Sequence, residues 1–217
     1  MKTAVLIYHR DVRKKYKEKW INKCLHSILN QTYQNFEFYE IDYGGNNDSI
    51  LNRIDINKNK KYWSITKKNY ASAMNFLLEQ TYTDGCECVF NINIDDFYNT
   101  TRFEKQIKLI EKGYDLVSSD FCYVKENNEN EDEIILHMNI CKQGTIENNF
   151  EIENNIIAHP SVCYSRNFIK HNKYNDDLIP AEDFDLWKKT ISKYKFHIID
   201  EELLFYRIHD KQVSNKT

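Results

Sequence analysis

Four clusters of side chains in this sequence have the types and spacing that chemistry needs, and each contains carboxylates or faces them. In Asn91-Ile-Asn-Ile-Asp95-Asp96, strand alternation puts Asn91, Asn93 and Asp95 on one side and the isoleucines on the other. Adjacent carboxylates repel unless a cation or hydrogen-bond donors sit beside them, and hard oxygen ligands suit Mn²⁺ or Mg²⁺ already carrying phosphates. The same pair also reads as the plain opening of a loop. In Asp42-Tyr-Gly-Gly-Asn-Asn-Asp48, paired glycines let the backbone turn close to a ligand while Asp42 accepts from an N–H or hydroxyl. Ala181-Glu182-Asp183-Phe184-Asp185 crowds acids at a helix start, which is either capping or a place for a general base. Tyr206-Arg207-Ile208-His209 alternates as a strand does, and its histidine suits a metal, a phosphate or open solvent.

Something must hold these clusters together. Apolar runs at Thr3 to Tyr8, Phe36 to Asp42, Tyr62 to Ile65, Cys88 to Ile94 and Asp115 to Tyr123 read as strands. Helix-period stretches separate them: Trp20, Cys24, Leu25, Ile28 and Leu29 mark one face, and Tyr70, Met74, Leu77 and Leu78 another. That alternation predicts an α/β fold with a mostly parallel sheet, whose ligands bind beyond the carboxyl ends of the strands. Thr101 and Glu104 have capping-box spacing ahead of Phe103, Ile107 and Ile110, so a helix is expected to start just after Asp95-Asp96. Lys125 to Glu133 is too polar to bury and predicts a solvated loop or hairpin tip. Beyond it, short strands (Ile134 to Met138, Ser161 to Tyr164), a helix from Glu182 to Tyr194 and closing strands Phe196 to Ile199 and Leu203 to Ile208 make the second half mixed.

Composition excludes several classes. At 217 residues, 41% hydrophobic and 29% charged, the chain reads as one globular domain over 1–217, and it has no apolar run near the roughly 18 residues that a spanning helix needs. A net charge of -3 gives no global field for a polyanion, so nucleic acid is not expected as a partner. The apolar run after Lys2 is too short for a secretion leader, and a cytoplasmic location with reduced, mostly buried cysteines (Cys24, Cys86, Cys88, Cys122, Cys141, Cys163) is expected. Lys14, Lys15, Lys17 and Lys19 read as a solvated face or as a contact for an anionic membrane.

Taken in order, the motifs resemble those of the family 2, GT-A-fold, nucleotide-sugar glycosyltransferases. Leu25-His-Ser-Ile-Leu-Asn-Gln-Thr-Tyr-Gln-Asn-Phe-Glu37 is similar to the first-helix motif, and Asp42 to Asp48 to the Asp-Asp-Gly-Ser-x-Asp loop. Ala73-Met-Asn75 resembles Ala-Arg-Asn, and Asn93-Ile-Asp95-Asp96 resembles Asp-x-Asp-Asp. His159-Pro-Ser-Val162, Glu182-Asp-Phe-Asp-Leu-Trp187, Tyr206-Arg-Ile-His209 and Gln212-Val-Ser214 are similar to the later landmarks. Three positions depart from the pattern: Tyr43 and Asn93 stand for aspartates and Met74 for an arginine, whose charge Lys67 or Lys68 would have to supply.

The resemblance implies a Rossmann-like central sheet flanked by helices, with a smaller mixed sheet on the acceptor side. It also implies an inverting, metal-assisted transfer from a nucleoside-diphosphate sugar, a UDP-sugar by preference, to a hydroxyl of a glycan or glycoconjugate. By the same resemblance Tyr8, His9, Arg10, Asp42, Asn75, Asn93 and Asp95 would bind the nucleotide sugar, and Asp95, Asp96 and His209 would hold Mn²⁺ or Mg²⁺. Asp183 would be the general base, with Glu182 positioning the acceptor. A degenerate sugar- or nucleotide-binding module is the alternative. A nucleotidyltransferase is a weaker one, because Tyr8-His9-Arg10-Asp11 lacks the glycines of a phosphate loop.

Overall fold

The computed structural model describes residues 1–54, 56–138, 154–212 and the backbone of 145–146. Cys141, Val213, Ser214 and most of the 143–155 loop lie outside the described residues. The chain runs β1 (Thr3–His9), α1 (Val12–Lys15), α2 (Glu18–Leu29), β2 (Glu37–Asp42), β3 (Lys60–Ser64), α3 (Tyr70–Thr83), β4 (Cys88–Ile92) and β5 (Phe97–Tyr98). It continues through α4 (Arg102–Glu111), β6 (Leu116–Glu126), β7 (Asp132–Met138), β8 (Thr145–Ile146), β9 (Cys163–Ser165), α5 (Arg166–His171), α6 (Glu182–Thr190) and β10 (Phe196–Arg207).

The strands form one sheet in the order β3-β2-β1-β4-β9-β6-β10-β5, with β7 beside β6 and β8 beside β10. Strands β3, β2, β1 and β4 are parallel, β9 is antiparallel to both β4 and β6, and β6 and β10 run parallel. The expected mixed acceptor-side strands are therefore an extension of the central sheet. Because β1 lies between β2 and β4, the strand order reverses there, which opens the crevice where α/β sheets bind ligands.

Alternation along β1 explains the layers. Ala4 and Leu6 face a core shared with Met74 and Leu77 of α3, Phe168 of α5 and Trp187 of α6. Val5 and Ile7 face the opposite core, with Ile21, Leu25 and Ile28 of α2 and Phe103, Ile107 and Ile110 of α4. Each such leucine or isoleucine, fully buried, contributes about 1.5–3 kcal/mol. Met74 lies at the centre of its core, fully buried, so the arginine of the family pattern would there be a charge without water. Neither lysine replaces it near the crevice: Lys68 pairs with Asp177, and Lys67 lies over the Phe76 ring.

Two expectations about local structure are corrected, and a third, the hairpin tip, holds. The capping box is not at Thr101, whose hydroxyl donates to Asn99 Oδ1 while Glu104 accepts from Thr32 and Lys108. Helix α4 still begins at Arg102, and Gln31 Oε1, from another segment, accepts from the Phe103 N–H. A reciprocal box does open α3, between Asn69 and Ser72. The two closing strands are one strand, β10, whose register slips against β6 between Ile199 and Leu204. The slip absorbs the polar Asp200-Glu201-Glu202 stretch that looked like a break. The 125–133 segment is a hairpin with its strands ordered to Glu126 and from Asp132. Both acids are bound: Glu126 accepts from Lys17, Lys19 and the Trp20 indole, and Asp132 from Lys23. Lys17 and Lys19 stay about half exposed, as expected of a solvated face, and also fasten the hairpin to the start of α2.

The five described cysteines are buried and unbridged. Among the described residues no helix is long and apolar enough to cross a membrane.

Candidate active site

A cavity of about 530 Å³ lies over the carboxyl ends of β1 and β4 and brings together residues of all four clusters: Tyr43, with Tyr8, His9 and Arg10, on one side, Asn93, Asp95 and Asp96 at the floor, Glu182 and Asp183 opposite, and Tyr206. Phe121 and Tyr123 of β6 and Tyr206 of β10 add an aromatic wall.

The side beneath Arg10 is built from the loop after β2. Asp42 is buried and accepts from the Gly44 (2.9 Å), Asn46 (2.8 Å) and Asp48 (3.3 Å) backbone N–H groups. Gly45 takes φ +71°, and a Cβ there would stand 2.7 Å from Thr66 Oγ1, so only glycine fits that turn. Arg10 donates to the carbonyls of Tyr43 (3.0 Å) and Lys67 and stacks over the Tyr43 ring at 4.6 Å. The departure Tyr43 thus serves as the platform for a cation. His9 turns inward: its Nε2 lies 2.9 Å from Glu40 Oε1, and Glu40 also accepts from Ser49 Oγ and the Ile50 N–H. Asp42 and Asn75 do not line the cavity. Asn75 clasps the backbone of Tyr174 through both its N–H and C=O, at 2.8 and 2.9 Å.

At the floor, strand β4 ends at Ile92 and a turn carries the acids. Asn91 lies beneath them, fully buried, donating to the His159 carbonyl, so the expected polar face starts at Asn93. Asn93 Oδ1 accepts from the Tyr8 hydroxyl at 2.5 Å. The Asp95 carboxylate lies 3.0 Å from His209 Nε2, and the His209 ring packs against Trp20 at 4.9 Å. Asp96 Oδ1 accepts from the Arg207 N–H, whereas its Oδ2 is buried with no partner among the described residues. Burial, with the Asp95 charge beside it, pushes the Asp96 carboxyl well up.

Arg207 ties this turn to the rest of the fold. Its Nε donates to the Asp95 carbonyl at 2.8 Å, and its fork grips both Asp132 oxygens. Although burial works against ionisation of Asp132, the bonds from Arg207 and Lys23 outweigh it and hold the carboxyl down at about 2. The folded value lies below that of the unfolded chain, so this stabilisation is complete above about pH 4 and is lost as pH falls through about 2. It is on the order of 2 kcal/mol. Asp132→Asn is therefore expected to lower the melting temperature at pH 7 and to flatten its decline between pH 4 and 2. An unchanged acid limb would show that the pair contributes nothing.

On the far side, Asp183 Oδ2 accepts from Asn155 Nδ2 at 3.0 Å and Oδ1 from the Phe184 N–H at 2.7 Å, in the first turn of α6. Glu182 is buried and accepts from the Tyr70 hydroxyl at 2.7 Å. Burial pushes its carboxyl up to about 7 against the lowering effect of that bond. Here the folded value exceeds the unfolded one, so stability falls as pH rises from about 4.5 to 7. Glu182→Gln is expected to match the wild-type melting temperature at pH 5 and to exceed it at pH 8, by about 2 kcal/mol of stability. Equal melting temperatures at both pH values would contradict the raised value.

Among the described residues no three His, Cys, Asp or Glu side chains gather as a closed metal cage. Asp95 and His209 do form an adjacent oxygen and nitrogen pair, and the unpartnered Asp96 Oδ2 is a buried acceptor short of positive charge beside them. This donor set fits a divalent ion whose remaining ligands come from a diphosphate.

A model of the glycosyl transferase family 2 matches residues 6–173. An uncharacterized glycosyltransferase of Methanocaldococcus jannaschii, MJ1057, is 27% identical over 207 residues, which cover 89% of this chain and 68% of that protein. The O-antigen biosynthesis glycosyltransferase WbnJ of Escherichia coli is 25% identical over 204 residues, covering 89% and 76%. Among solved structures, S. aureus TarS 1-349 in complex with UDP-GlcNAc superposes with a TM-score of 0.72 at 16% identity. All of this chain is covered there, and 61% of the TarS fragment.

Proposed function

The chain belongs to glycosyl transferase family 2 and has its GT-A fold, and on that premise we propose that it transfers a sugar from a UDP-sugar to a hydroxyl of a glycan or glycoconjugate with inversion at the anomeric carbon. One observation carries this reading: a single cavity is lined at one end by Asp95, whose carboxylate is paired with the His209 imidazole outside the lining, and at the other by the hydrogen-bonded Asp183. An inverting displacement needs this separation, because the leaving diphosphate and the attacking hydroxyl lie on opposite faces of the sugar.

The nucleoside would lie along Tyr8, Arg10 and Tyr43, with Arg10 held by two carbonyls over an aromatic ring and so presented as a fixed cation. His9, Asp42 and Asn75 would act by bracing that side. Asn93, held by Tyr8, would meet the ribose. Asp95 and His209 would hold Mn²⁺ or Mg²⁺, with Asp96 beside them, and the ion would supply charge neutralisation for the departing diphosphate. Asp183 would take the acceptor proton as the new C–O bond forms and the bond to the diphosphate oxygen breaks. Glu182, fixed by Tyr70, would orient the acceptor. Both halves of this machinery are present, which favours turnover over a binding-only role. TarS in complex with UDP-GlcNAc makes UDP the first nucleotide to test. Calorimetry of UDP, GDP and dTDP with and without Mn²⁺ tests the reading: metal-dependent binding of UDP supports it, and binding of none of them opposes it.

A further inference from the structure

Behind the cavity wall lies a chain of three side chains that the proposed machinery does not use. His159 lines the cavity at the start of a 3₁₀ turn (His159–Ser161), and the Asn91 side chain anchors its carbonyl. Its Nε2 lies 2.9 Å from the Tyr174 hydroxyl, which in turn bonds the Tyr164 hydroxyl. Both tyrosines are buried, at 3% and 1% exposure.

The hydrogens in this chain can be assigned by counting. Each hydroxyl carries one hydrogen, and the Tyr164 hydroxyl bonds only Tyr174 among the described residues. If Tyr174 donated to Tyr164, the Tyr164 hydrogen would be buried without an acceptor, which is costly. Tyr164 therefore donates to Tyr174, Tyr174 donates to His159 Nε2, and a neutral His159 carries its hydrogen on Nδ1. Burial lowers the His159 pKa and raises those of both tyrosines, in keeping with three neutral groups. Nδ1 has no partner among the described residues, and His159 lines the cavity. Asp183 is the charged group that acts on His159 electrostatically, and both line the same cavity.

We infer that His159 Nδ1–H is a fixed hydrogen-bond donor to a hydroxyl oxygen of the transferred sugar, with Tyr174 and Tyr164 as positioning residues that lock its tautomer. This rests on the nucleotide-sugar reading, because the sugar must lie between the diphosphate and Asp183. An anion would be poorly served by a neutral donor facing a carboxylate, whereas a sugar hydroxyl both accepts from Nδ1–H and donates to oxygen acceptors nearby.

Calorimetry without acceptor, comparing UDP with UDP-glucose, UDP-galactose and UDP-N-acetylglucosamine in Mn²⁺, separates the sugar contact from the nucleotide contact. An asparagine amide overlays His Nδ1 and a glutamine amide overlays Nε2. His159→Gln is therefore expected to weaken the preferred UDP-sugar about tenfold and leave UDP unchanged, while His159→Asn stays within about threefold of wild type. Tyr174→Phe, which frees the tautomer, should weaken the UDP-sugar about threefold, again with UDP unchanged. Equal losses for UDP and UDP-sugar, no loss in either His159 variant, or a weaker His159→Asn than His159→Gln would each overturn the assignment. So would a wild type that binds the UDP-sugar no better than UDP. If the wild type binds neither, the nucleotide-sugar reading fails first and the assignment falls with it.

Discussion

Asp183→Asn is expected to lower turnover by about three orders of magnitude while leaving donor affinity within a factor of two. A positioned general base contributes typically 10²–10⁴-fold. The substitution keeps the side-chain volume and a hydrogen-bonding group toward Asn155 but removes the basic carboxylate proposed to take the acceptor proton. Because the loss concerns a group that acts on the acceptor, KM for the donor should barely move while kcat falls. Glu182→Gln separates the two neighbouring acids: it should raise KM for the acceptor more than it lowers kcat, since Glu182 is tied to Tyr70 and orients rather than accepts. Comparable kcat losses in both variants, or a larger loss in Glu182→Gln, would move the base to Glu182.

Asp95→Ala carries the second large effect, and it falls on binding. Removing this carboxylate takes away the oxygen 3.0 Å from His209 Nε2 and, on the proposed reading, half of the donor pair for a divalent ion. We expect Mn²⁺ to stop enhancing UDP binding and the affinity in Mn²⁺ to fall about a hundredfold, toward the metal-free value, with an effect of the size seen when metal ligation is lost. The fold should survive, because the Asp95 carbonyl and the Asp96 carboxylate, not the Asp95 side chain, hold Arg207. Metal-stimulated UDP binding that persists in Asp95→Ala would exclude Asp95 as a ligand.

The sheet and its helices were legible because they follow from period and alternation, which are local. Strands β1, β2 and β4 and helices α2 and α3 each carry a continuous apolar pattern that only one packing satisfies. What escaped is non-local. That Gln31 caps α4, that Arg207 reaches Asp132 and that Glu126 is bound by Trp20 all depend on segments far apart in sequence. Polar residues look solvated until their partners are placed. Arg102 is a sharper case. It reads as the first residue of an amphipathic helix, yet it is fully buried with no carboxylate partner among the described residues, donating to the Asn91 and Val162 carbonyls and to Gln106 beside the Tyr98 ring. In that position it ties β4, just ahead of the Asp95-Asp96 turn, to the segment that follows His159. Periodicity carries no signal for such a residue.

The site followed the same division. Motif order singled out Asp95 and Asp183, which line one cavity, and His209 beside Asp95, but residue type alone did not separate side chains that face the cavity from those that support it. His9, Asp42 and Asn75 have hydrogen-bonding groups suited to a ligand, and the fold directs all three to backbone or buried partners. The His159 chain was missed as a constellation because Tyr164 reads only as the end of a short strand and nothing in the spacing ties it to Tyr174. Only the burial of their hydroxyls shows that these must bond one another and then the histidine.

The most direct test is product formation. Wild type and Asp183→Asn would be incubated with UDP-, GDP- and dTDP-sugars, with and without Mn²⁺, and released nucleoside diphosphate measured. The account predicts slow, Mn²⁺-dependent hydrolysis of one UDP-sugar by the wild type, with the sugar released as the inverted anomer, and a loss of about three orders of magnitude in Asp183→Asn. No release from any donor with any metal, or release undiminished in Asp183→Asn, would contradict it.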